Sequence, residues 1–411
     1  MELFLLGTAA LFRPIASGAY ILSGAFTEIA AVLLFVVLCG AFFANSALRK
    51  QTSFSAIDLT IVGFSTWCLA GYVAYFDVAR LADMARLLVP LLTYTVTKNI
   101  VKDRDEYRRL LSWMIVGFSV PVVLSAALIA AGKGVAYVSY WTGIARYQGA
   151  YDGAHNLGHS MTFFLFLLIL YRGTARLDFG TRTRELGSGE KIILSVLGGL
   201  ALYCLYMSQV RSAILGFAIF FILYFYHINR KLLILGAAAV AIIGLALLPR
   251  WLPALLPDVV LYEEGRIDAG ELGSGRQGIW AHQIKVFAEF PIDQKLAGAG
   301  IGNKDPTGTR TDVLDSHNDW LDLPMQTGIV GLTLFVLLQF LILRAILKLR
   351  GQERYFFLAM FVAVNFMMAV SNSYVYRIAV CQTYYMVLAL IELRHSKPLN
   401  GGGRSSSAVG T

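Results

Sequence analysis

Charge is what this sequence has little of. Only 15% of its 411 residues are Asp, Glu, Lys or Arg, whereas 57% are hydrophobic. A soluble domain carries roughly 25% charged residues, so a soluble globular chain is excluded. Acidic residues are scarcer than basic ones, 26 against 35. The resulting excess of +9 raises the question of nucleic acid. Most Lys and Arg, however, sit in short loops between apolar runs, and a nucleic-acid partner is not expected. Cysteine is limited to Cys39, Cys68, Cys204 and Cys381. Each lies inside an apolar run and reads as a small buried hydrophobe, not as a disulfide partner or metal ligand. The first apolar run is not followed by a small-residue cleavage site and a soluble domain, so no removable signal peptide is expected.

Present instead are apolar runs of about 20 residues along nearly the whole length. That length crosses hydrocarbon as a helix with every backbone group bonded internally. The expected fold is an all-α membrane protein with about 12 transmembrane helices, near 3–24, 26–45, 56–76, 80–98, 110–130, 154–171, 191–208, 211–227, 232–249, 320–343, 355–371 and 377–393. Arg13-Pro14 cuts the first, which reads as a broken or re-entrant helix. The chain divides into 1–248 with spans 1–9, a large polar segment 249–319, spans 10–12 in 320–393, and a flexible tail 394–411.

Orientation follows from the basic residues. The loops after even-numbered spans hold Arg49 and Lys50; Lys98, Lys102, Arg104, Arg108 and Arg109; Arg172, Arg176, Arg182, Arg184 and Lys191; Arg230 and Lys231; and Arg344, Lys348, Arg350 and Arg354. With Arg394, Lys397 and Arg404 of the tail they make 21 of the 35. The positive-inside rule then places both termini in the cytoplasm and the odd-numbered loops outside, which in a two-membrane bacterium is the periplasm.

Two outward segments stand out. The tyrosines of 131–153 read as interface anchors. In 249–319, Ser274-Gly275-Arg276 opens a helix that Pro291 ends, with Ile279, Trp280, Ile284 and Phe287 near one face, as in a helix on the membrane surface or packed on the bundle. Leu296-Ala-Gly-Ala-Gly-Ile-Gly-Asn303 lacks the strand–turn–helix setting of a dinucleotide site. It is either a tight loop that lets backbone approach a ligand or a plain connector.

Candidate chemistry gathers at His317, at the mouth of the tenth span beside Asp315, Asn318 and Asp319. It reads either as a helix-cap histidine or as a general base oriented by Asp315 or Asp319. His155 and His159, four apart, make a two-ligand pair at most, with no clear third ligand adjacent. Arg211 sits in a very short outward turn, where it either snorkels or serves a partner or substrate. Arg276 stands at a helix start, whose free N–H groups add to its charge. Asp83 and Arg86 read as a pair. Arg377 and Arg146 can join an outer basic cluster, and several converging guanidinium groups suit a diphosphate, which they grip bidentately.

Four pieces resemble the O-antigen ligase and polymerase superfamily of bacterial membrane glycosyltransferases. In order they are Met207-Ser-Gln-Val-Arg211-Ser-Ala; Ser274-Gly-Arg276 followed by Trp280; Phe290-Pro291 leading to Gly300 and Gly302; and Ser316-His317-Asn318-Asp-Trp-Leu321, then Gln326-Thr-Gly328-Ile-Val-Gly331. The resemblance covers about 200–335 by motif. It implies transfer of a glycan from undecaprenyl diphosphate to an acceptor sugar in the periplasm, with Arg211 and Arg276 on the diphosphate and His317 activating the acceptor hydroxyl. Ligation of O-antigen to lipid A–core is the first expectation. The alternative is polymerisation of O-antigen, capsule or exopolysaccharide units, and a third reading is a transporter or flippase of lipid-linked sugars. No cofactor is expected, and with no acidic metal cluster in the sequence the transfer is expected to be metal-independent. The setting is the bacterial inner membrane.

Overall fold

The computed structural model describes residues 2–18, 20, 25–49, 54–75, 77, 80–138, 145–174, 186–231, 233–234, 259, 262–265, 276–302, 316–371 and 377–393. Nearly all of the expected ninth span, most of 249–319 including Asp315, and the tail 394–411 lie outside them.

The helices are α1 (Glu2–Gly18), α2 (Ala25–Arg49), α3 (Ala56–Ala74), α4 (Leu81–Ile100), α5 (Arg104–Ala130), α6 (Ala154–Thr174), α7 (Ser188–Ser208), α8 (Arg211–Ile228), α9 (Arg276–Glu289), α10 (Ile292–Ala297), α11 (Asp319–Lys348), α12 (Gly351–Val370), α13 (Ile378–Leu388) and α14 (Leu390–Leu393). Among the described residues, seven helices are long and apolar enough to cross a membrane, α3, α5, α6, α7, α8, α11 and α12. They match the expected third, fifth, sixth, seventh, eighth, tenth and eleventh spans. Ile29–Asn45 and Ile378–Glu392 are shorter apolar stretches at the expected second and twelfth. α1 has 17 residues, and α4 carries Asp83, Arg86 and Lys98.

Local sequence sets the helix starts. Ser55 and Asp58 form a capping box at α3, satisfying two N–H groups that a helix start leaves open. The Asp103 carboxylate accepts from Glu106 N–H at 2.9 Å and caps α5. α1 runs unbroken through Pro14, unlike the broken helix expected of Arg13-Pro14. It lies close against α5, where a Cβ on Gly117 would stand 2.4 Å from the Leu11 carbonyl oxygen. Segment 131–153 also departs from an all-helical reading. Val135–Val138 (β1) pairs antiparallel with Ala145–Tyr147 (β2) in a small hairpin, with Tyr137 opposite Arg146.

α6 is the central helix. Of its membrane-crossing window 78% is buried, against 28% for α7 and for α8, and Phe163 to Leu168 are all inside. It packs on α5, α7, α8 and α13, while α12 packs on α8 and α11, and α4 on α13.

α11 breaks at Gly328, whose φ of 67° and ψ of −174° only glycine adopts readily. The glycine loop after α10 locks into the break. Ala299 N–H donates to the Met325 carbonyl at 2.8 Å, Gly302 N–H to Gln326 Oε1 at 3.0 Å, and Trp67 Nε1–H to the Thr327 carbonyl at 2.9 Å. A Cβ on Gly298 would meet the Gln326 carbonyl at 2.4 Å, and one on Gly328 the Leu296 carbonyl oxygen at 2.1 Å. These glycines let backbone approach backbone, which is neither of the two roles expected of the loop.

One end of the bundle gathers three charged side chains from α3, α4 and α14. Lys98 is bonded to Asp58 and stands 2.9 Å from Glu392, and Thr95 Oγ1 donates to Asp58 at 2.7 Å. α4 therefore ends where the α13–α14 segment ends. The other end of that segment, at Arg377, belongs to the opposite end of the bundle, where the candidate site lies.

Candidate active site

The site is built where α6, α8, α9, α11 and α13 begin. His155 is the second residue of α6. Its ring stacks on that of His317, just before α11, with centroids 6.1 Å apart and planes 18° apart. One turn further along α6, His159 stacks with His155 at 6.4 Å and 27°. His159 is fully buried, and its Nε2 lies 3.3 Å from Ser212 Oγ in the first turn of α8. Gly158 makes this approach possible, since a Cβ there would stand 2.9 Å from Val210 Cβ and 3.0 Å from Ser208 Oγ. Arg211 opens α8 beside Ser212 and is half-buried.

Positive charge converges on the same place. Arg377, Arg146 and Arg276 all act electrostatically on the His155 ring, together with His317, and Arg377 acts on His159 as well. Arg276, first residue of α9, donates from Nη1 to the Val370 carbonyl at the end of α12, at 2.5 Å. Arg146 lies on β2 with its guanidinium 5.3 Å from the centre of the Tyr137 ring. At Val210 and Arg377 no side chain caps the first turn, so the first N–H groups of α8 and α13 add their partial positive charge to this end. An anion is the natural ligand of such a place.

The turn that aims His317 is fixed from several sides. His317 has φ 50°, in the left-handed region, which a non-glycine residue occupies only when its surroundings hold it there. Trp280 Nε1–H donates to the Ser316 carbonyl at 2.8 Å, and Ser316 Oγ–H to Asp322 Oδ1 at 2.6 Å. Asn318 N–H donates to Ser316 Oγ at 3.0 Å, and Asn318 Oδ1 caps α11 by accepting from Trp320 N–H at 3.0 Å. Trp280 and Asn318 thus support the backbone of the His317 turn. Because Trp280 lies one turn after Arg276, the same bond ties that cation to the imidazole. Asp319 is fully buried and, with Arg377, acts on the Cys381 thiol of α13. Asp315 lies outside the described residues.

Arg86 and Asp83 pair at 2.8 Å. The four cysteines are free, three of them buried and Cys39 half-buried. α9 buries Gln283 and Val286, with Phe290 just beyond it, and keeps Ile279, Trp280 and Phe287 half-buried as expected, whereas Ile284 is exposed and falls off that face. The sequence pairs His155 with His159 alone. The third imidazole that the sequence did not show next to it is His317, yet stacked rings do not turn their nitrogens toward one centre. Among the described residues, no three or more His, Cys, Asp or Glu side chains are grouped to hold a metal ion. The signal for His155 was available in the alternation of loops, because the expected sixth and tenth spans start on the same side.

The class is thus a multi-pass helical membrane protein with a cationic, imidazole-lined site at one end. Residues 196–336, about a third of the chain, match the family model described as O-antigen ligase. That stretch carries Arg211, Arg276 and His317, and the match supports the O-antigen ligase superfamily whose motifs the sequence resembles. The match supports a membrane glycosyltransferase of the O-antigen ligase or polymerase type. The chain matches no curated protein.

Proposed function

We propose that this chain transfers a glycan from undecaprenyl diphosphate to an acceptor sugar on the periplasmic face of the inner membrane, and specifically joins O-antigen to lipid A–core. The observation that carries the reading is the stacking of His317 on His155, a ring on which the charges of Arg146, Arg276 and Arg377 converge. His317 takes the proton from the acceptor hydroxyl. The hydroxyl oxygen forms a bond to the anomeric carbon, and the bond from that carbon to the phosphate oxygen breaks with its electron pair going to the diphosphate. Arg276, Arg377 and Arg146, with Arg211 at the start of α8, hold the charge that develops. Fixed donors of this kind are worth most in a site with little water. A single displacement inverts the anomeric centre. Both termini are cytoplasmic in this reading, which the distribution of basic residues supports.

Transfer by purified protein from a lipid-linked donor tests the catalytic assignment. His317→Ala is expected to abolish transfer while the protein still folds, because the ring is half-exposed at the mouth of α11. Normal transfer by that variant removes the assignment. Turnover in detergent, with no membrane to cross, speaks against a flippase. A deletion strain separates ligation from polymerisation, since long chains left on the carrier mean a ligase and single units a polymerase.

A further inference from the structure

We propose that His155 belongs to the substrate-binding machinery and donates a ring N–H to the leaving phosphate of the lipid-linked donor. The proposal rests on the glycosyltransferase reading above and adds a residue to it. Two imidazoles whose planes differ by 18° and whose centroids are 6.1 Å apart lie side by side. Stacked in this way, they do not bond each other through the edges that carry their nitrogens. A molecule that contacts the His317 ring stands within one ring spacing of His155.

The charges select the part of the molecule that His155 meets. Three guanidinium groups, from β2, from the start of α9 and from the start of α13, act on this ring. A bound diphosphate held among them comes to rest against His155. A neutral imidazole offers one N–H donor there without adding a fourth like charge. Its Nδ1 is buried and has no hydrogen-bond partner among the described residues, a state that is costly unless a ligand fills it. The ring is also well placed to be rigid. It stands on the central helix, and the next imidazole of that helix, His159, is buried against Ser212.

The test uses the full-length protein in lipid nanodiscs with undecaprenyl diphosphate as the probe, alongside the transfer assay. His155→Ala is expected to weaken binding of the probe about 10- to 100-fold, as for loss of a hydrogen bond to a charged group, and to slow transfer by on the order of 10². His155→Gln keeps a donor and His155→Phe keeps the bulk, so the glutamine variant should bind the probe more tightly than the phenylalanine variant. Unchanged probe binding by His155→Ala overturns the proposal, as does equal binding by His155→Gln and His155→Phe. Neither result touches the glycosyltransferase reading. That reading falls separately if Arg276→Ala and Arg377→Ala both bind the probe normally and His317→Ala still transfers.

Discussion

A guanidinium fork and an ammonium point differ most where one side chain has two tasks. Arg276 donates one N–H to the Val370 carbonyl and still projects its charge onto the His155 site. A lysine ammonium has three donors but no planar fork, so it cannot grip a phosphate bidentately while it is bonded to the carbonyl. Arg276→Lys is therefore expected to lose nearly as much transfer as Arg276→Ala, on the order of 10²- to 10³-fold in kcat/KM for the lipid-linked donor. An Arg276→Lys variant that works at the normal rate would count against diphosphate contact at this position. The chemistry of such a residue was legible from its type and its place at a helix start. Its bond to Val370 was not, since that joins positions 94 apart in the chain.

At the scale of elements, the break in α11 connects the middle of a membrane helix to the turn that carries His317. The helix begins under His317, runs a few turns, and is interrupted at Gly328, where the 296–302 loop is seated against it. Gly328→Ala has two costs, a backbone conformation foreign to side chains and a contact of 2.1 Å with the Leu296 carbonyl oxygen. It should destabilise the protein by at least about 2 kcal/mol, read as a lower midpoint of thermal unfolding in detergent. A midpoint equal to that of the unaltered protein would show that the loop and helix do not interlock in this way. The sequence displays the glycines plainly, but glycine marks only that something comes close. Whether the neighbour is a ligand or a carbonyl is a tertiary fact.

Across the whole molecule, the two ends of the bundle differ in kind. The site end gathers guanidinium and imidazole groups, whereas the other end buries a compact set of opposite charges, Asp58 with Lys98 and Glu392. Removing the cation leaves the buried Asp58 carboxylate without compensation, which costs roughly 3–5 kcal/mol. Lys98→Met should lower thermal stability by that order, and Asp58→Asn added to Lys98→Met should recover part of it. Activity per folded molecule should stay near normal, because the cluster is remote from His317. A Lys98→Met protein as stable as the original would mean that the cluster contributes nothing. Orientation has its own test in a variant whose four cysteines are replaced. Lys133→Cys, exposed beside the hairpin, should react with a membrane-impermeant maleimide on whole spheroplasts. Asp105→Cys, exposed at the start of α5, should react only after the membrane is opened. The reverse pattern would invert the proposed topology.

The amino-acid sequence by itself determined that this is a helical membrane chain, because runs of that length and apolarity are stable only where backbone groups bond within the segment. It also marked His317, Arg211 and Arg276, since charged or titratable groups at the edge of hydrocarbon are expensive and few. It could not determine which helix is central. Lipid tails and protein interior are equally apolar, so α6, buried on most sides, and α7, largely facing outward, carry similar sequence patterns. Only the tertiary structure decided that α6 sits in the middle and thereby brings His155, which the sequence pairs with His159 alone, against the imidazole of a turn 162 positions later.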